Sequence, residues 1–259
     1  YTALFNTIGT VAETHMLKPY KDRVAATYEY MLSSIRYVEK NVTEIRKKMD
    51  ENIANLQPGN QYSLQWKLDE KQFQLIDFKG YEAGMKPSEV SGKPRLFYDR
   101  TKPFTRKVKF FDEYISTKKI AIPRYYVIPK SEYKVIEHLK RNNISMKEIS
   151  RDSVISVEQY RIADFKTVKN PYEGHYLHYE TQLKSEIKNR GFRKGDFIVS
   201  TKQFGVKYLL ETLEPEATDS FFNWNFFDGI LGQKEYFSDY VFEVQTSVIL
   251  TTHFRMKLT

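Results

Sequence analysis

Glu13 stands in the stretch "VAETHML" (residues 11–17), directly after Val11 and Ala12, which read as the end of a buried strand. A carboxylate there costs free energy to ionise unless it is paired or hydrated. Two readings account for it. It is a general base facing the crevice at the carboxyl edge of an α/β sheet, able to activate a water. Alternatively it is structural, paired with Lys18, Lys21 or Arg23. The five histidines are His15, His138, His175, His178 and His253. Zinc sites take imidazole and carboxylate ligands at helical or strand spacing, yet neither His-x-x-Glu nor His-x-x-x-His occurs. On a strand, Glu13 and His15 would share a face, as would His178 and Glu180, while His175 would point away. No metal ligand is therefore assigned in this chain. Around these residues, "KNPYEGHYLHYE" (169–180) reads either as a loop that holds a ligand by stacking and hydrogen bonds or as a turn packed on its strand.

Composition narrows the chemistry. Across 259 residues, 41 Lys and Arg stand against 33 Asp and Glu, a net charge of +8. The charges are interspersed, and the short clusters "IRKKMD" and "STKKIAIPR" are flanked by acids or apolar residues, so no nucleic-acid partner is expected. Cysteine is absent, which excludes disulfides, thiolate metal sites and a cysteine nucleophile. No apolar run approaches the ~18 residues of a membrane span. Neither a Gly-rich phosphate loop nor G-x-S-x-G is present. Nineteen Tyr and eighteen Phe suit both a large core and a binding surface.

The elements that must position these residues are legible from periodicity. Residues 1–15 read as a loop and then a buried strand ending near Glu13. Val24, Tyr28, Met31, Ile35, Val38, Val42, Ile45 and Met49 step by threes and fours, which predicts a helix over 22–52 with one apolar face. "LQPGNQ" (56–61) ends it. "YSLQWKLD", "KQFQLIDFKGY" and "RLFYDR" alternate as half-buried strands do, with "KPSEVSGKPR" as a turn-rich insertion. "SEYKVIEHLKRNN" reads as a short helix capped by Ser131. "SVISVEQYRIADFKT", "HYLHYETQLKSEI" and "KGDFIVSTKQ" are strands. "VKYLLETLEP" and "DSFFNWNFFDGIL" read as two helices parted by Pro215, the second aromatic on almost every side and so a core or interface element. Residues 244–259 fit an edge strand or a tail.

The stretch "VAETHMLKPYKDRV" resembles the zinc carboxypeptidases of the carboxypeptidase A family, most of all a large bacterial branch. "TVKNPYEGHYLHYE", "FRKGDFIVSTKQ" and "YLLETLEPEATDSFFNWNFFDGILGQKEYFSDYVFE" resemble the region that follows the catalytic domain in that branch, so the likeness runs from about residue 1 to about 243. It implies an α/β fragment, residues 1–55, comprising the last strand and closing helix of a carboxypeptidase-like domain. A mostly β accessory domain with short helices follows over 56–243, then residues 244–259 of uncertain structure. It implies that Glu13 is the general base of a zinc enzyme that removes C-terminal residues from peptides, and that Tyr1 contacts the substrate. In the family's order the zinc ligands and the carboxylate-binding Asn-Arg pair precede the general base, so they would lie outside this chain, whose opening "YTALFNTIG" reads as cut from something longer. Asn189-Arg190 mimics that pair but follows Glu13 and is not given its role. The resemblance favours a secreted or periplasmic setting. The alternative is a non-catalytic accessory module, binding peptide or glycan or purely structural.

Overall fold

The computed structural model describes residues 1–16 and 18–232, together with the backbone of 256–258. The fold is mixed and strand-rich. After a short 3-10 helix, Thr2–Phe5, come helix α1 (Tyr20–Ala54) and strands β1 (Gln61–Leu68), β2 (Gln74–Pro87), β3 (Pro94–Phe110), β4 (Tyr114–Ala121) and β5 (Tyr125–Ile128). Helix α2 (Tyr133–Arg141), β6 (Lys147–Glu148), β7 (Ser153–Thr167), β8 (His178–Phe192), β9 (Phe197–Ser200), α3 (Val206–Leu213), a 3-10 turn at Asp228–Ile230 and β10 (Met256–Leu258) complete the order. Contacts group residues 1–65 with 119 onward as one unit and 66–118 as a second, so the expected junction at 55–62 lies inside the first.

The first unit is built on a six-stranded sheet in the order β6-β9-β5-β10-β7-β8. β5 pairs antiparallel with β9, and β7 with β8 over almost their full lengths, with register shifts between Ile162 and Lys166. The main core gathers Tyr126, Leu139, Val199, Leu209, Leu210 and Phe222, contributed by β5, α2, β9, α3 and the turns after α3. Their helices form for readable reasons. Val135, Ile136 and Leu139 make one buried stripe on α2, and Arg141 and Lys140 sit in its last turn, where cations suit the helix dipole. Gly205 precedes α3 because a Cβ there would meet Ile144 Cδ1 at 2.3 Å. In the second unit, β2 and β3 form a long antiparallel ribbon closed by the turn 88–93, where Ser88 N–H donates to Lys93 O and Gly92 N–H to Ser88 O.

Several expectations need correction. Residues 7–15 form no strand, and Val11 is 82 % exposed; no described backbone ladder runs along this segment. α1 forms with nearly the expected bounds, but none of its residues is buried, so its apolar stripe does not face a core here. The expected helix "DSFFNWNFFDGIL" is a series of turns ending in the 3-10 turn. Its asparagines and serine draw the backbone away from helix: Asn223 Nδ2 donates to Ala217 O (2.7 Å), Asn223 N–H to Ser220 Oγ (3.0 Å), and Asn225 adopts φ 65°. The core reading of its aromatics does hold for Phe221, Phe222 and Phe227. Ser131 does not cap α2, whose N-cap position is Glu132. Residues 244–255 and 259, like 233–243, lie outside the described residues. Residues 256–258 form β10 between β5 and β7, an inner strand rather than an edge.

Candidate functional site

Tyr1 and Glu13 occupy different surroundings. The opening 3-10 turn is held by stacking: the Phe5 ring lies 5.6 Å from Tyr208 and 6.4 Å from Phe204, both near parallel. Tyr1 Oη donates to Asn142 Oδ1 (2.7 Å), and Asn142 Nδ2 donates to Tyr208 Oη (3.1 Å), so a chain of polar groups joins the segment to the end of α2 and to α3. Asn6, in the left-handed region at φ 51°, ties the segment to α1. Its Nδ2 donates to Met49 O (3.1 Å), and its Oδ1 accepts from Asn52 Nδ2 (2.9 Å). Between the segment and α1 opens a cleft of about 1340 Å³, bounded by residues 2, 3 and 6–10, by Tyr30, Val38, Ile45 and Met49 of the helix, and by Lys207. Glu13 and His15 lie outside that lining and are exposed. Because residues 11–15 are not a strand, the shared face expected for Glu13 and His15 does not arise.

A cluster of buried titratable groups joins β1 to α3, and its Lys207 reaches the cleft. Tyr62 Oη donates to Glu211 Oε1 at 2.5 Å. Burial pushes the Tyr62 phenol far up, helped by the Glu211 charge and hydrogen bond. Burial also raises Glu211 above the ordinary carboxylate range, against the lowering effect of the Tyr62 hydrogen bond, and holds the Lys207 ammonium below its usual value. Lys207 and Glu211 are four apart on one helix face, a spacing visible in the sequence; Tyr62 could be joined to them only through the fold.

A second constellation surrounds His178. Its ring is buried between Phe165 (centroids 4.6 Å, edge-on) and Phe222 (4.9 Å). Nδ1 lies 2.8 Å from Thr167 Oγ1, across the β7–β8 pair, and Nε2 lies 3.0 Å from Asp228 Oδ1 and 3.2 Å from Asn225 Nδ2. With Nδ1 facing the Thr167 hydroxyl on β7 and Nε2 facing Asp228 and Asn225, the ring clasps the 3-10 turn to the sheet. The polar partners Thr167, Asn225 and Asp228 were not foreseen; only the pairing of two strands across an eleven-residue separation brings the first of them in.

The shared face expected for His178 and Glu180 also fails. Glu180 has φ 52°, which breaks the strand alternation, and its carboxylate pairs with Lys166. His175 packs on Trp224 (5.4 Å) and Phe226 (6.1 Å), and its backbone bridges to Tyr172. Among the described residues no three His, Asp or Glu side chains converge in a metal-binding group. Asn189 and Arg190 are successive residues of β8 and so project to opposite faces, unable to grip one carboxylate together. Tyr172, Tyr176 and Tyr179 are all exposed around the loop 169–180. Comparison of the chain with protein-family models, with characterised proteins and with solved structures finds no match in any of the three.

Proposed function

We propose that the chain is the carboxy-terminal part of a zinc metallocarboxypeptidase acting on peptides with a free C-terminus, in a secreted or periplasmic setting. The observation that carries this reading is α1. Eight apolar residues recur along one face over Val24–Met49, none of them buried, and the apolar cleft beside them is open. A stripe of that length is what a helix closing a larger domain presents to the sheet it covers. The motif opening at Val11 supplies the family, and with it the role of Glu13.

The described residues do not assemble a zinc site, so on this reading the metal belongs to a part of the parent protein outside this chain, and no step through it follows from these residues. Glu13 contributes a proton-accepting carboxylate. Exposed in an extended segment, it takes a proton from the attacking water and returns it to the departing amine. Tyr1, whose hydroxyl is committed to Asn142 here, would have to exchange that hydrogen bond to reach a substrate.

The test uses the longer polypeptide that joins this chain to the preceding domain. Glu13→Gln should lower kcat on a C-terminally free peptide by ~100-fold or more, the usual size of a general-base effect. Equal rates for the two proteins would remove the role given to Glu13. A second reading, an accessory module that binds peptide or glycan, draws support from the exposed Tyr172, Tyr176 and Tyr179. Paired Tyr172→Ala and Tyr176→Ala changes should then weaken capture of peptide or glycan ligands on an array, and unchanged capture would dismiss that surface.

A further inference from the structure

Among the described residues β8 is an outermost strand of the six-stranded sheet, 15 residues long and without proline. Its start is covered by the turns after α3: His178 N–H donates to Asn223 O (2.9 Å) and Thr181 Oγ1 to Asn223 Oδ1 (3.0 Å). From Gln182 to Phe192 the described backbone partners all lie on β7. Alternate N–H and C=O groups of that stretch therefore point away from the sheet, and such an open edge is a template for a further strand.

The order of side chains along the edge indicates which strand fits it. Past the irregularity at Glu180 successive residues alternate: Leu183, Ser185 and Ile187 are uncharged on one face, and Lys184, Glu186 and Lys188 are charged on the other. Ile187 is 67 % exposed. When a second β8 is laid antiparallel about a two-fold axis at Ser185, each residue meets one that suits it. Leu183 meets Ile187, Lys184 meets Glu186, Gln182 meets Lys188 and Ser185 meets its own copy. No like charges oppose each other within 182–188. A two-fold at Ile187 would set Lys184 against Arg190, and one at Lys184, Glu186 or Lys188 would set a charge against its own copy. Within one chain Lys184 already stands directly across from Arg161, a like-charge pair that costs stability. Glu186 reaches Arg161 (3.3 Å) and Lys188 (2.5 Å), and no described carboxylate pairs with Lys184. A second chain brings its Glu186 to that position. Lysine on an edge ordinarily deters pairing; with a glutamate two residues on, it favours a strand that presents the same pair reversed.

We propose that β8 pairs antiparallel with the β8 of a second copy about a two-fold axis at Ser185, joining two six-stranded sheets into one. The contact uses none of the groups assigned by the carboxypeptidase reading and survives its failure.

The test is analytical sedimentation of the whole chain at ~0.15 M salt, where the general repulsion between two chains of charge +8 is screened beyond ~8 Å. A reversible dimer is expected. Lys184→Glu and Glu186→Lys should each weaken it by ~10-fold or more, because each change acts twice across the axis and sets like charges opposite. An equimolar mixture of the two variants should restore association to within ~3-fold of the wild type, since each chain then presents the charge that the other needs. Both side chains are exposed, so unchanged circular dichroism serves as the folding control. The absence of native cysteine makes the register readable. Ser185→Cys should give a covalent dimer under mild oxidation, because directly opposed strand residues lie within the reach of a disulfide, and Ile187→Cys should not. A chain that stays monomeric up to its solubility limit would overturn the proposal. So would a mixture that associates no better than the single variants, or crosslinking at Ile187 in place of Ser185.

Discussion

Helices α1 and α3 obey the same sequence rule and reach opposite ends of the burial scale. α3 has eight residues, six of them buried, including Leu209 and Leu210 at 0 % exposure. α1 has thirty-five and buries none, although its apolar residues repeat with greater regularity. Periodicity specifies which face of a helix seeks a partner, and the partner decides whether the face is buried. The stability of α3 comes from packing on β5, β9 and α2. α1 must rely on its length, its intrinsic propensity and the few ties of Asn6, Asn52 and Met49 until something covers its stripe.

That contrast can be tested from its strongest point downward. Leu209→Ala should cost about 2–5 kcal/mol in denaturant unfolding, the span found for fully packed leucines, whereas Ile35→Ala on α1 should stay within about 0.5 kcal/mol. A large loss at Ile35 would mean that α1 is covered in solution. Asn223→Ala should follow at about 2–3 kcal/mol: it leaves the Ala217 carbonyl and the Thr181 hydroxyl without the buried side chain that now bonds them. If the cost were under about 0.5 kcal/mol, the turns after α3 would not depend on that side chain.

A smaller effect is expected at the junction between the opening segment and α3. Burial, reinforced by the nearby Tyr1 phenol, pushes Tyr208 up to about 12. Its phenol then ionises earlier in the unfolded chain than in the folded one. The associated stability is intact below about pH 10 and is lost as pH rises towards 12, about 2 kcal/mol at most. Unfolding free energies measured across that window should fall for the wild type and fall less for Tyr208→Phe. Identical slopes would show that the phenol titrates as it does in water.

Local rules carried the reading wherever one element's side chains settle its own conformation. The bounds of α1 follow to within two residues from its apolar spacing and those of α2 from its apolar stripe and the asparagines after Arg141, and the long β7 and β8 announce themselves by alternation. The rules failed where side chains compete with the backbone or where partners are remote. Residues 219–231 carry enough aromatics for a buried helix, but Ser220, Asn223 and Asn225 offer the chain other hydrogen bonds. Val11 and Ala12 look like a strand end, yet a strand exists only in a ladder, and none is described there. Glu13 was picked out by its surroundings in the sequence, and those surroundings prove to be solvent. The Tyr62–Glu211 bond joins residues 149 positions apart, and the clasp on His178 draws on three separate segments.

The turn at the tip of the β2–β3 ribbon also bears on how the protein withstands digestion. Exposed loop tips without a core beneath them are the preferred sites of nicking. Between Lys86 and Arg95 the only basic residue is Lys93, and both lysines, like Lys102, are followed directly by proline. Proline fixes φ and removes the backbone N–H at the residue following the scissile bond, which obstructs enzymes that cut after lysine. The turn 87–94 therefore offers trypsin-like proteases no ready bond at the point where the ribbon is otherwise easiest to cut.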